Sequence, residues 1–297
     1  MLQELYPFSS RHSLRIFART SPPTLDQPID LPSTMPSFTS SLLTSDTTAY
    51  THATTSPFLT SAARGTTSKA LLGRWLANDR LYIHAYIAGT GRLLPLLTLP
   101  PAAPSDGSAP RDTSTRLLDW IVAALVNVRR EEGFFLETAH RYGLDVNLPG
   151  AAALHSSSTA AEFAAAKLEG LRRWEALFGS IAAGPEGQPL PWLEGAVIFW
   201  GTEVCYLDAW TGVKNALDPA GDAAKDADGG ALRAEFINNW TTDEFRRFVD
   251  DLRDIIDDAV EEEVRLHGED IRAVFYERAL EQWKKVLAAE ETFWPAE

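Results

Sequence analysis

Cysteine is almost missing from this chain: Cys205 stands alone among 297 residues. One thiol allows no internal disulfide and no cysteine-rich zinc site, so a disulfide-stapled secreted scaffold is excluded and a reducing compartment is expected. Long apolar runs are missing too. No window approaches 18 consecutive apolar residues, so no transmembrane helix is expected. Positive charge is scarce: 27 Lys and Arg face 41 Asp and Glu, leaving a formal charge of -14 and a pI near 4.9. Such a surface repels phosphate backbones and anionic lipid, which argues against nucleic acid and membrane surfaces as partners. Alternating β-branched runs hardly occur, and neither a short repeat nor a sustained heptad is present.

What is there is apolar and aromatic. A hydrophobic share of 45% with nine Trp is ample for a continuous core, which excludes a wholly disordered or fibrous chain. From about residue 44 onward apolar residues recur at spacings of three and four, so an all-α protein of seven to eight helices is expected. The reading places helices at Asp46 to Ala63, interrupted by Pro57, at Ser68 to Leu94, and at Thr113 to Tyr142, stopped by Gly143. Others follow from the Ser156 to Thr159 cluster to Phe178, from Trp192 to Ala216, from Leu232 to Asn239, from Thr242 to His267 and from Asp270 to Phe293. Pro95 to Pro110 reads as loop, and Asp218 to Gly230 as a surface insertion. Residues 1–40 read as a disordered leader ahead of a single domain over 44–295. A cytoplasmic location is expected, with a mitochondrial one as the alternative because Arg11, Arg15 and Arg19 stand among serines.

Chemistry is suggested at a few positions. Asp79 and Tyr82 lie three apart on the second helix, within an apolar stripe, where an inward Asp needs a partner or a ligand donor. The purely structural reading is an Asp satisfied by an Arg or a helix end. Glu203 stands in a helix apolar on most sides, with Trp200 and Tyr206 at spacings of three, so burial would raise its pKa into the range of a general acid or base. Its alternative is a structural carboxylate tied to an arginine. Glu290 and Glu291 end the last helix, where a carboxylate opposes the helix dipole and is either exposed or turned inward for a purpose. Cys205 has no base near it in sequence and reads as packing. Glu137 and His140 form the ExxH spacing of bundle di-iron sites, yet no second ExxH exists, so no metal is expected. The acidic run from Asp243 to Glu263 reads as the solvated face of an amphipathic helix.

Four segments in order resemble the TenA/thiaminase II family of the haem-oxygenase-like all-α superfamily. They are Tyr50–Leu59 (YTHATTSPFL), Leu71–Tyr82 (LLGRWLANDRLY), Phe236–Phe245 (FINNWTTDEF) and Glu290–Trp294 (EETFW). The resemblance implies a haem-oxygenase-like helical bundle and a hydrolase of the thiamin-salvage type, which removes an amino or formylamino group from an aminomethylpyrimidine. It implies Asp79 and Tyr82 as pyrimidine-binding residues and Glu290 and Glu203 as catalytic carboxylates, with no cofactor. The place of the family's cysteine nucleophile falls at about Val197, and two pocket tyrosines appear as Phe163 and Trp240. Loss of the thiol leaves water as the attacking group, with Glu290 or Glu203 as base. Two other functions compete. One is a non-catalytic binder of a pyrimidine-like small molecule, favoured by the replacement of phenols with Phe163 and Trp240. The other is an oxidase of the PqqC or haem type, for which His52 would be the axial ligand. Assembly into a homo-oligomer is implied by resemblance alone.

Overall fold

The computed structural model describes residues 36–102, 105, 112–153 and 157–296, and the part from Pro36 onward forms one unit. The expected leader therefore lies outside the described residues up to position 35, as does most of the 103–111 stretch. In chain order the helices are α1 (Phe38–Leu43), α2 (Thr47–Thr54), α3 (Pro57–Arg64), α4 (Lys69–Leu93), α5 (Thr113–Tyr142) and α6 (Ser157–Ala166). They continue as α7 (Glu169–Gly179), α8 (Leu193–Ala216), α9 (Ile237–Trp240), α10 (Asp243–His267) and α11 (Asp270–Glu291). Seven of these run ten residues or longer, and no strand occurs among the described residues.

Helix starts follow side chains that accept the N–H groups a first turn leaves unpaired. Ser68 accepts from Leu71, Asp112 from Thr115 and Thr242 from Phe245, opening α4, α5 and α10. Pro57 forces the residue before it into an extended conformation, so the helix expected across Asp46 to Ala63 is cut in two at Thr55 and Ser56. Gly143 ends α5 at φ 65°, in the left-handed region expected of it.

Two boundaries differ from expectation. Phe38 and Leu42 are buried, and Asp257 on α10 accepts hydrogen bonds from the Thr39 backbone at 2.8 Å and its hydroxyl at 2.9 Å. A helix thus sits across the expected leader boundary at 40, because a short apolar pair there finds a distant partner that sequence periodicity cannot see. The helix expected to run unbroken to Phe178 stops at Ala166, because Asn78, buried on α4, takes the Leu168 N–H at 2.8 Å and starts α7 on a new axis. The 218–230 insertion lies mostly at the surface, as expected, and is anchored at its end: Asp228 is buried and accepts from the Gly230 and Leu232 N–H groups, while Arg233 pairs with Asp226 at 2.7 Å. These contacts precede a π-helical turn at Leu232–Phe236, which leads directly into α9.

The core is centred on α8, which buries fourteen of its residues. It meets α11 closely at Gly201, where an added Cβ would stand 2.9 Å from Val286 and 3.2 Å from Trp283. The C-terminal residues lock this packing. Phe293 and Trp294 are buried, and the Trp294 indole donates to the Ala53 carbonyl at 2.8 Å. On α10, Val249, Leu252, Ile256 and Val260 face inward, and the acids between them stay at or near the surface, as the amphipathic reading predicts. No helix among the described residues is long and apolar enough to cross a membrane.

Candidate active site

Helical spacing brings Asp79, Tyr82 and Tyr86 to one side of α4, at steps of three and four. Thr202, Glu203 and Tyr206 occupy the matching side of α8, and Glu131 with Val128 and Ala124 that of α5. Between them lies a cavity of about 390 Å³, closed by Trp240 at the end of α9 and by Phe245 and Phe248 on α10. Exposed polar residues, Arg130, Asn239, Thr242 and Glu244, mark its mouth. This size suits a small ligand.

Three carboxylates stand in the wall, and each is held through one oxygen by an aromatic donor. The Tyr206 phenol donates to Asp79 Oδ2 at 3.4 Å, the Tyr86 phenol to Glu203 Oε1 at 2.8 Å, and the Trp240 indole to Glu131 Oε1 at 2.8 Å. The second oxygen of each makes no hydrogen bond with the described residues. Asp79 is only 4% exposed, so it is a buried acid with an unpartnered oxygen in a cavity wall.

Glu290 stands behind the wall. Its Oε1 accepts from the Thr202 hydroxyl at 3.0 Å, and that hydroxyl also meets the Tyr82 phenol at 2.8 Å. Its Oε2 has no partner although the residue is 1% exposed. Glu290 thus touches the cavity through Thr202 rather than facing it. Its neighbour Glu291 points out, 3.5 Å from the exposed His52 ring.

Burial is the main cause of the electrostatics here, because a carboxylate removed from water favours its neutral form. It pushes Glu203 up to about 8, against the Tyr86 hydrogen bond and with a further push from Glu131. Glu290 also rises to about 8, by burial against the Thr202 hydrogen bond and with Glu203 adding to it. Glu131 rises to about 7, and Asp79 stands well above the usual carboxylate range, pushed first by burial and then by Glu131 and Glu290. The four acids therefore form one electrostatic group.

Of the residues singled out from sequence, Asp79, Tyr82, Glu203 and Trp240 meet in the cavity wall, and Glu290 joins them through one hydroxyl. Phe163 does not. It lies on α6, a helix with no fully buried residue, with the Lys167 ammonium 5.3 Å from its ring. The reason is the break at Lys167, which separates α6 from the packed α7. Val197 is buried in the core and absent from the wall; the α8 residues that reach the cavity are Thr202, Glu203 and Tyr206. Trp200 faces away, stacked on Trp283 at 5.4 Å. Cys205 is fully buried outside the wall, and burial pushes its thiol up, as a packing role requires. Glu137 and His140 lie on the exposed face of α5, and among the described residues no group of His, Cys, Asp and Glu is placed to hold a metal ion. No histidine stands in the wall, and His52 is 58% exposed on α2, a poor setting for an axial haem ligand.

Sequence reasoning missed Glu131, Thr202 and Tyr86 as wall residues. Tyr86 was legible, seven residues after Asp79 on the same stripe. Glu131 was not, since it sits in an Arg-Arg-Glu-Glu run whose next residue, Glu132, is instead clamped by His84, Arg80 and Arg129.

No protein-family model matches the chain. A protein of Fusarium pseudograminearum named as a probable transcription factor is 28% identical over 273 residues. The match covers 88% of this chain and 50% of that protein, so the chain spans about half the length of the curated relative it matches. Among solved structures, a TenA homologue from Pyrococcus furiosus superposes with a TM-score of 0.57 at 21% identity, covering 86% of this chain and 98% of that one. The likeness establishes the fold: an all-α bundle of the TenA type.

Proposed function

We propose that the cavity binds an aminomethylpyrimidine and that the protein is a hydrolase of the thiamin-salvage type, working in the cytoplasm. The observation that carries this reading is the set of three wall carboxylates, each tied by one oxygen to an aromatic donor and offering the other. Such acceptors fit a flat ring bearing several N–H donors, with Tyr82, Tyr206 and Trp240 as aromatic walls. Asp79 takes the ring amino group. The exocyclic amine enters as an ammonium, and Glu203, ionised, accepts a proton from water as the water oxygen bonds to the exocyclic carbon. The C–N bond breaks and ammonia departs; the ammonia then takes the proton back from Glu203 and leaves as ammonium. Water thus replaces ammonia with no net proton change. Of the two carboxylates from which the resemblance draws the base, Glu203 takes that role, while Glu290 orients the Thr202 hydroxyl, and through it Tyr82, as a positioning residue.

A second reading, a non-catalytic binder, keeps support from the wall itself, which holds no thiol. The name of the fungal relative does not carry over. This chain bears a charge of -14, the sign that phosphate backbones repel.

The test is release of ammonia from the aminomethyl pyrimidine and of formamide or formate from the formylaminomethyl pyrimidine. Glu203→Gln is expected to lower kcat/KM by about 10² to 10⁴, the usual contribution of a general base. As Glu131 and Glu203 ionise, kcat/KM of the native protein for the aminomethyl substrate should rise with pH through about 7 to 8. Tight binding of either pyrimidine with none of these products released would transfer the assignment to the binder.

A further inference from the structure

The charge balance of the cavity wall is lopsided. Asp79, Glu131 and Glu203 line its interior, whereas the single cation in the wall, Arg130, is exposed at the mouth and forms no ion pair with any of them. Arg129, next along α5, is already engaged by Glu132. Glu131 has one hydrogen bond, from the Trp240 indole N–H to Oε1, and it sits near enough to Asp79 and Glu203 to raise both. Burial still holds it at about 7, against the pull of the Trp240 N–H and of the exposed Arg130 guanidinium.

We infer that Glu131 is a specificity residue that pairs with a positively charged nitrogen on the ligand, so that the cavity selects a cationic arylmethylamine over its neutral formylamino counterpart. The inference rests on the reading of this cavity as the ligand site. Two features of the setting favour a cation at that point. A positive nitrogen beside Glu131 lowers the cost of ionising Glu131, Asp79 and Glu203 together, because the three repel one another as anions. The interior also holds no cation of its own to compete for that place, since Arg130 stands exposed at the mouth. A neutral formamide supplies a single N–H and leaves the carboxyl group protonated, so it draws little from either feature.

The substitution that isolates the charge is Glu131→Gln, which keeps an oxygen to accept the Trp240 N–H and keeps the shape. Binding is measured by titration calorimetry at pH 7 with two probes, 4-amino-5-aminomethyl-2-methylpyrimidine and its N-formyl derivative. Glu131→Gln is expected to weaken the aminomethyl probe at least about tenfold, the lower end of what a hydrogen bond to a charged group contributes, and the formyl probe less than about twofold. Equal losses for both probes, or no loss for either, overturn the inference. Should the variant fail to fold, the native protein decides. Aminomethyl binding, compared in two buffers of different ionisation heat, should release protons as the wall carboxyls ionise, and formyl binding should not; equal proton release for both overturns it. If neither pyrimidine binds, the thiamin-salvage reading fails by itself. Benzylammonium and benzyl alcohol then replace the probes, and the inference stands if the cation binds preferentially through Glu131 and falls if the two bind alike.

Discussion

A carboxylic acid with 1% of its surface exposed and one oxygen unpartnered costs stability whenever it is ionised, and Glu290 is in that position. Folding holds its pKa at about 8, above the value of about 4.3 expected in the unfolded chain. With the folded value raised, its contribution is fully present below the unfolded pKa and is lost as pH rises through about 8. Glu290→Gln keeps an acceptor for the Thr202 hydroxyl and removes the ionisation. The variant should therefore melt higher than the native protein at pH 9, by at least about 2–4 °C, which corresponds to about 1 kcal/mol in a chain approaching this size. The difference should shrink toward pH 6. Thermal melts at the two pH values check this, and identical pH slopes would mean that Glu290 is not the buried acid described. The same burial explains why sequence could name Glu290 but not its manner of action. That it reaches the cavity through Thr202 depends on how α11 lies against α8.

Among the elements, α7 owes its place to two contacts with distant parts of the chain. Asn78 on α4 accepts the N–H of Leu168, the residue that caps α7, and Gly170 lets its first turn press on the C-terminal residues. A Cβ on Gly170 would fall 2.4 Å from the Phe293 backbone and 2.6 Å from the Ala289 carbonyl, neither of which is a side chain free to turn aside. Gly170→Ala should therefore destabilise the fold by about 1–3 kcal/mol, the range seen for overpacked cores, read as a lower urea midpoint. It should also lower activity, since Ala289 and Phe293 flank Glu290. An unchanged midpoint would show that α7 and the end of α11 slide apart freely. Helix periods announced the existence of α4, α5, α8, α10 and α11, since each carries a long apolar stripe. They did not announce the α6–α7 break, because the cause is an Asn side chain some ninety positions away in sequence.

At the scale of the molecule, the bundle is closed by its ends. The Trp294 indole on Ala53 ties the C-terminus to α2, and α1 docks on α10 through Thr39 and Asp257, with Phe38 edge-on to Tyr276 at 6.4 Å. A chain begun at Thr44 loses the buried Phe38 and Leu42. It should be less stable than one begun at Pro36 by about 3 kcal/mol or more, since each such side chain contributes about 1.5–3 kcal/mol on burial. Denaturant unfolding of the two chains measures the difference, and equal stability would mean that α1 is an ornament of the fold.

The amino-acid sequence by itself determined the helical class, the starts and stops set by Ser68, Asp112, Thr242 and Gly143, and the face on which Asp79, Tyr82 and Tyr86 align. These are local matters, governed by periodicity and by side chains bonding to backbone a few residues away. Only the tertiary structure decided that Glu131 joins Asp79 and Glu203, that Thr202 rather than Val197 presents α8 to the cavity, and that Phe163 stays outside. Each of these depends on the rotation and close approach of helices far apart in sequence, which small residues such as Gly201 and Gly170 permit. No pattern within one helix encodes the angle at which it meets another.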